Sequence, residues 1–589
     1  MTLSEEMKWP TPTAKRIDVK STKKIPRHKI LTLIFGMLYF TVSCSLPLKP
    51  SPNFQTEQYN ANAAFYYSLG VLDARDGDYD EAIKDMEKAL NFDEGSPYLT
   101  SELASLYLLK GEFEKALSIC KKALQAHPDD LNLYLLLGGL YIQTKDYPNA
   151  IISYEKVLKI DSHHTAALFY LGSIYGEMRR YEEAIKSFKT LLHIEPDHLM
   201  GRYYLARILT DTGRYEEADN EYERILSLKP DFEAAVLDYG ALLDKQQKRE
   251  KAIALYLRYK SAHPTWVSIY IRLADLYVKE KQYDNAEQLL QNVLDVDPKN
   301  REIRITLALI AAEKKQYAKA ISMFHDILSE KGDDARLHFL LASVYESSGD
   351  KKNALSEFEK VPPESDLFIS SRTRIAIIHQ KEGNLKAAVD VIRGALKVKK
   401  DEPDMYVFLS SLYDEKGDYT SAEAVLKEGE VLFPRDTDLH YALGVIYDKM
   451  KRYKESISEM ESVLSLDPTN AEALNFIGYS YADQGIHLDE AESMIMKALK
   501  IKPDNGYMID SLGWVYYKKN LYEQALKHLK EAAELIPNDP TISEHLGDAY
   551  EKNGLIREAI KAYERALKSK PDNEAVQLKM EKLRKMLTK

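Results

Sequence analysis

Along residues 63–573 the apolar positions do not alternate. They fall at i, i+3 and i+7 with a small residue at i+4, as in Leu168, Leu171, Gly172 and Tyr175, and then the pattern stops and restarts. That spacing draws one stripe along a 3.6-residue helix. The same skeleton recurs in "LGSIYGEMRRYEEAIKSF" (Leu171 to Phe188), "LADLYVKEKQYDNAEQLL" (Leu273 to Leu290), "LGVIYDKMKRYKESISEM" (Leu443 to Met460) and "LGWVYYKKNLYEQALKHL" (Leu512 to Leu529). A small residue returns every 34 positions from Ala82 to Ala422, becomes Ser456 once, and after one extra residue near Ile486 resumes at Ala491, Ala525 and Ala559. Fifteen units result, so Tyr516, Tyr522 and Ala525 belong to a repeated brick. Many units end in proline (Pro196, Pro230, Pro298, Pro468), which cannot continue a helix. Glycines such as Gly77, Gly111, Gly213 and Gly349 fall mid-unit, where a helix must end and turn. Each unit therefore predicts helix–turn–helix, with small slots such as Gly172 and Ala184 letting the two helices approach.

Fifteen units in phase resemble the tetratricopeptide repeat family. The resemblance implies an all-α, right-handed superhelical α-solenoid of about fifteen 34-residue helix-turn-helix units. The last helix, 574–589, has Val576, Met580, Leu583 and Leu587 on one side and charges elsewhere, which suits a C-terminal capping helix. Between about 330 and 400 the pattern weakens: Gly332 stands where proline is usual, "VPPES" cuts a helix short at Pro362, and His379 and Leu385 replace tyrosines. Two readings stand, a joint between units 1–9 (63–361) and units 10–15 (362–573), or ordinary repeat drift.

The N-terminus has a different texture. Residues 1–29 are basic, and an uncharged run from Ile30 to Val42 leads into Thr41-Val42-Ser43-Cys44. The run has the length of the apolar region of a secretory signal. The sequence up to Cys44 resembles the bacterial lipobox, with Thr41 departing from the usual aliphatic residue. The resemblance implies cleavage in front of Cys44 and its lipidation, with Ser45 directing the protein to the outer membrane, facing the periplasm. The alternative is an uncleaved anchor over 30–48, just long enough to span a bilayer. Residues 44–62, rich in Pro, Ser, Asn and Gln, read as a tether to that lipid anchor.

Charge narrows the partners. The formal net charge is -11, and residues 1–43 carry eight Lys/Arg against three acidic residues, so the remainder carries about -16. An acidic array with no basic stripe argues against nucleic acid. The chain has two cysteines, which excludes a disulfide framework; Cys120 sits at a helical core slot and reads as a buried small apolar residue. No metalloprotease, nucleophile-elbow or nucleotide-loop motif occurs. His163-His164 and His193/His198 fall at turns without a ligand set at metal spacing, and Glu182-Glu183 and Glu216-Glu217 repeat at one register, as solvent-facing positions do. No catalytic residue, cofactor, metal or small-molecule substrate is expected.

The resemblance implies that first helices line a concave face. In this register that face carries many aromatics, from Tyr67, Phe169, Tyr170, Tyr203 and Tyr204 to Phe339, Phe408 and Tyr441. The densest group is Phe476, Tyr479, Tyr507, Trp514 and Tyr517, with Asn475 and Asp510 beside it. Aromatics dominate binding hot spots. Trp514 lies about 200° around the helix from Tyr516 and is expected to look into the groove while Tyr516 fills the core. The Lys/Asn clamp of chaperone-binding relatives is absent; Leu135, Phe169 and Tyr203 hold such positions. The expected function is a non-enzymatic, exported, lipid-anchored scaffold for other proteins or extended peptides of the cell envelope, in secretion, pilus or polysaccharide assembly. The alternatives are a cytoplasmic or membrane-anchored adaptor and a non-catalytic subunit of an enzyme complex.

Overall fold

A computed structural model describes residues 61–332 and 334–587. Cys44, the apolar run before it and the tether lie outside the described residues. Among those described there are 31 helices and no strand, following one another two to a repeat in chain order, with a last helix, Glu574–Leu587. The chain divides into two compact units, one ending at Gln316 and one beginning at Tyr317. Each is an all-α solenoid of stacked helix pairs. The boundary expected at 361/362 falls inside the second unit. The ninth pair's second helix is indeed short, Lys351–Glu359. Yet its C-terminal end is tied to the tenth pair, because the Arg372 guanidinium donates to the carbonyls of Phe358, Glu359 and Val361 at 3.0, 3.2 and 3.1 Å.

The small slots do what their spacing predicts. In the pair Thr165–Glu177 and Tyr181–Ile194, Leu168, Leu171, Ala184 and Phe188 are buried. A Cβ placed on Gly172 would lie 2.8 Å from Phe188 Cζ, inside contact distance, so only glycine admits the ring there. Cys120 is fully buried as expected, and burial pushes its thiol up to about 12.

The turn inside each pair has a strict backbone requirement. Gly77, Gly111, Gly213, Gly349, Gly383, Gly417 and Gly554 all have φ between 74° and 87°. Units without that glycine put Lys145, Arg179, Gln247, Lys281, Lys315, Lys451 or Asn520 at the same register, with φ between 57° and 63°. The left-handed conformation belongs to the turn and persists whichever residue occupies it. In the thirteenth pair the extra residue is absorbed by two left-handed residues, Gly485 and His487.

The last helix buries Val576 and Leu583 against Ile560 and Tyr563, while Leu587 stays exposed. Its apolar stripe therefore ends before the chain does. No helix among the described residues is long and apolar enough to cross a membrane.

Candidate functional site

Four successive first helices of the second unit, Thr437–Lys449, Ala471–Gln484, Gly506–Lys518 and Pro540–Lys552, surround a pocket of about 440 Å³. Tyr441 comes from the first of them, and Glu472, Asn475, Phe476 and Tyr479 from the second. Tyr507, Met508, Asp510 and Ser511 come from the third, and Thr541 and Ile542 from the fourth. Asn505 and Asp539 complete the wall as N-caps; Asp539 Oδ1 accepts from the amides of Thr541 and Ile542 at 2.9 and 3.0 Å. Tyr441 and Phe476 meet edge to face at 6.2 Å, and Tyr507 is 56% exposed. A hollow of about 500 Å³ in the first unit is lined by second-helix residues including Lys186, Lys189 and Arg214, without a Phe, Tyr or Trp. The aromatic pocket is the better candidate, because aromatic side chains give large contact area at low entropic cost.

The wall is electronegative. The Tyr479 phenol is held well above its ordinary value, first by burial and then by the charges of Asp483, Asp510, Asp448 and Glu544. Burial, and then the like charge of Asp483, raise the Asp448 carboxyl, with Lys449 opposing. Glu472 is held below the usual carboxylate range by its hydrogen bond from Lys502. Asp510 is buried, and both its oxygens lie near His545 Nδ1, at 3.1 and 3.0 Å.

Five of the seven groove residues expected from sequence line this pocket: Asn475, Phe476, Tyr479, Tyr507 and Asp510. Two do not. Trp514 is buried, stacked on His545 with centroids 4.0 Å apart and on Tyr517 at 4.8 Å. Its expected place on an open face is therefore corrected, and the cause is the stack itself. A first helix packs against its own second helix and against the first helices before and after it. The side opposite Tyr516 is consequently buried as well. Tyr516, the expected core residue, is only half-buried; its hydroxyl donates to Glu492 at 3.0 Å. Tyr517 is half-buried behind the wall, with an edge contact to Tyr522 at 5.6 Å. Elsewhere Phe169 and Tyr170 are buried too.

Sequence reasoning missed Glu472, Met508, Asp539 and Ile542, since it followed the aromatics and the polar residues next to them. It also missed His545 as the partner of Asp510. A signal for that pairing exists: polar pairs 35 residues apart tie successive first helices, as in Tyr203–Asp238 at 2.8 Å, Lys279–Asp244 at 2.7 Å and Lys449–Asp414 at 2.6 Å.

The turn histidines have a structural duty. His164 and His198 are N-caps whose Nδ1 atoms accept from the amides of Ala167 and Gly201 at 3.3 and 3.0 Å. Glu182 and Glu183 are exposed. Glu430, His440 and Glu459 bring three potential metal-ligand atoms within 4.8 Å of one another. His440 Nε2 faces the Pro434 carbonyl at 3.2 Å and its Nδ1 faces Glu459 at 2.7 Å, so both ring nitrogens meet acceptors. That is the arrangement of an imidazolium, and Arg202 makes the same two contacts, with Pro196 O and Glu221, at this register of the first unit. In this cluster His440 is a strut between its helix, the preceding turn and the second helix.

Helix pairs stacked in succession, with no strand among the described residues, define the class of the protein, a helical-repeat solenoid. The pairs are tetratricopeptide repeats. Models of that description match residues 63–95, 335–361, 403–429, 437–470, 471–505 and 542–573, and further ones match 108–168, 277–342 and 211–265. Residues 143–225 match the anaphase-promoting complex subunit 3 family. The chain is 26% identical over 171 residues to the TPR repeat-containing protein PA4667 of Pseudomonas aeruginosa, covering 28% of each. It is 24% identical over 142 residues to the type IV pilus assembly protein PilF of that organism, covering 24% of this chain and 56% of the relative. The match spans between 28% and 35% of the length of the first curated relatives. Among solved structures, the APC/C hetero-tetramer Cut9–Hcn1 is similar with a TM-score of 0.31 at 16% identity, over 83% of this chain and 96% of that one. Tetratricopeptide repeats generally mediate protein–protein interactions.

Proposed function

We propose that this chain is a non-enzymatic scaffold that captures a segment of another protein in the aromatic pocket of its second unit. One observation carries the reading: four aromatic rings from three successive first helices converge on one pocket, with Tyr507 left exposed at it. Aromatics in that setting serve binding better than folding. The site is tested with a photo-crosslinking phenylalanine analogue in place of Tyr507 in the full chain. The expected result is a covalent adduct with one or a few partner proteins, absent when the same analogue replaces the exposed Leu578 of the last helix. Equal labelling from both positions would refute the site.

The proposal extends to an address. The basic segment, the apolar run and Cys44 support export and lipidation, and the pilus assembly protein of Pseudomonas aeruginosa that the chain resembles suggests envelope assembly as the setting. Globomycin treatment is expected to leave an unprocessed precursor, and Cys44→Ser to abolish acyl labelling. A mature N-terminus other than Cys44 would sink this half of the proposal and leave the pocket untouched.

A further inference from the structure

We infer that the pocket at Tyr507 takes a cationic side chain, arginine or lysine, from an extended segment of the partner protein. The inference rests on the groove reading above and adds the chemistry of what enters. Three carboxylates, Glu472, Asp510 and Asp539, line the wall, and among the described residues no lysine or arginine does. The ring residues between them, Phe476, Tyr479 and Tyr507, offer π faces, and a cation over such a face is attracted by the ring quadrupole. Carboxylates and aromatic faces together select a cation and repel an acidic segment.

The lining carboxylates are partly compensated. Glu472 is bonded by Lys502, Asp510 by His545, and Asp539 by backbone amides. Each ionised carboxylate still has acceptor sites to spare. Asp448 and Asp483, on successive first helices and outside the pocket lining, bear on Tyr479 through their charges and repel each other. A guest cation would relieve that repulsion. Asn475 Oδ1 is also enclosed at the wall without a hydrogen-bond partner among the described residues. A planar guanidinium, which stacks on rings and donates in several directions, fits this set better than a neutral side chain does.

The test is selection of phage-displayed random dodecapeptides on the full-length protein, with binding of the recovered peptides measured by fluorescence anisotropy. The expected peptides share one arginine or lysine, and changing that residue to glutamine weakens binding about tenfold or more. Asp448→Asn with Asp483→Asn should weaken the parent peptide and have little further effect on the glutamine peptide, the signature of a direct coupling. Removing two like charges should not unfold the protein, and an unchanged thermal melt establishes that. Tyr507→Ala should weaken every selected peptide. Peptides that need Tyr507 but carry no shared cation, or that ignore the Asp448/Asp483 change, would overturn the cationic inference and leave the groove reading standing. Peptides indifferent to Tyr507→Ala, or no recovered peptide at all, would overturn the groove reading itself.

Discussion

The indole of Trp514 and the imidazole of His545 stack with ring centroids 4.0 Å apart and planes 12° from parallel, and His545 at the same time holds Asp510 at 3.0 Å. One aromatic pair thus joins the fourteenth repeat to the fifteenth, with a buried hydrogen bond at its edge. Trp514 Nε1 is enclosed with no acceptor among the described residues, so the ring is there for its area and its face.

Trp514→Ala is therefore expected to destabilise the second unit by about 3–5 kcal/mol, the range for emptying a buried large aromatic site. Tyr516→Ala, at a half-buried ring, should cost about half as much. Denaturant unfolding followed by circular dichroism decides between them. A Trp514→Ala protein that is the more stable of the two would show that the indole stack contributes little.

The array was legible in the sequence because its information is periodic. Leu171, Gly172 and Ala184 repeat at fixed offsets, and each offset is a packing contact. Turn glycines were legible for the same reason. What a single helix cannot show is how many neighbours it has. Trp514 and Tyr516 lie on opposite sides of one helix, and on an isolated amphipathic helix one of them would be wet; in a stack both sides meet protein. The pocket was half legible. Its aromatics stood out at recurring positions, whereas Glu472 and Asp539 look like ordinary helix-start acids until adjoining repeats bring them to one wall.

Glycine-to-alanine changes should have opposite signs at two positions. At Gly240 an added Cβ would lie 2.2 Å from Tyr256 Cζ, and Tyr256 is locked by burial and by its hydroxyl donating to the Leu237 carbonyl at 2.9 Å. Gly240→Ala should cost about 1–3 kcal/mol through overpacking. At Gly394, inside Leu385–Val398, nothing lies within 4 Å of the new methyl. There the better helix propensity of alanine should stabilise by about 0.5–1 kcal/mol. Urea melts of the two variants check both signs, and a stabilising Gly240→Ala would contradict the close approach.

Lys281 sits at the left-handed turn position with φ 57°. An L-residue there costs about 1–2 kcal/mol, and glycine avoids that while losing part of the gain to its greater freedom when unfolded. Lys281→Gly should stabilise the first unit by about 0.5–1 kcal/mol net. Gly213→Ala should destabilise it by about 1 kcal/mol at the same register. Thermal melts of the pair provide the comparison. Equal and opposite shifts are not required, but a destabilising Lys281→Gly would mean that the lysine's own contacts outweigh the backbone term.

His440 gives the second unit a pH dependence whose sign is fixed by its contacts. Burial is the largest influence and disfavours the imidazolium. The hydrogen bonds to Glu459 and the Pro434 carbonyl, with the charges of Glu459 and Glu430, outweigh it and hold the pKa above the ordinary value of 6.5. A group whose pKa is raised on folding stabilises the fold fully below its unfolded value and loses that contribution as pH climbs through the folded one. The bridge should therefore be fully intact below the ordinary histidine value and weaken as the pH climbs through the raised folded one. Hydrogen exchange at the amides of Thr437–Lys449 and Tyr453–Leu466, corrected for the intrinsic effect of pH, reads it locally. His440→Arg, which copies the Arg202 arrangement, should keep its charge and flatten that local dependence. His440→Ala should flatten it as well, at lower protection throughout. If wild type and His440→Arg lose protection in parallel over this range, the titrating group is not His440.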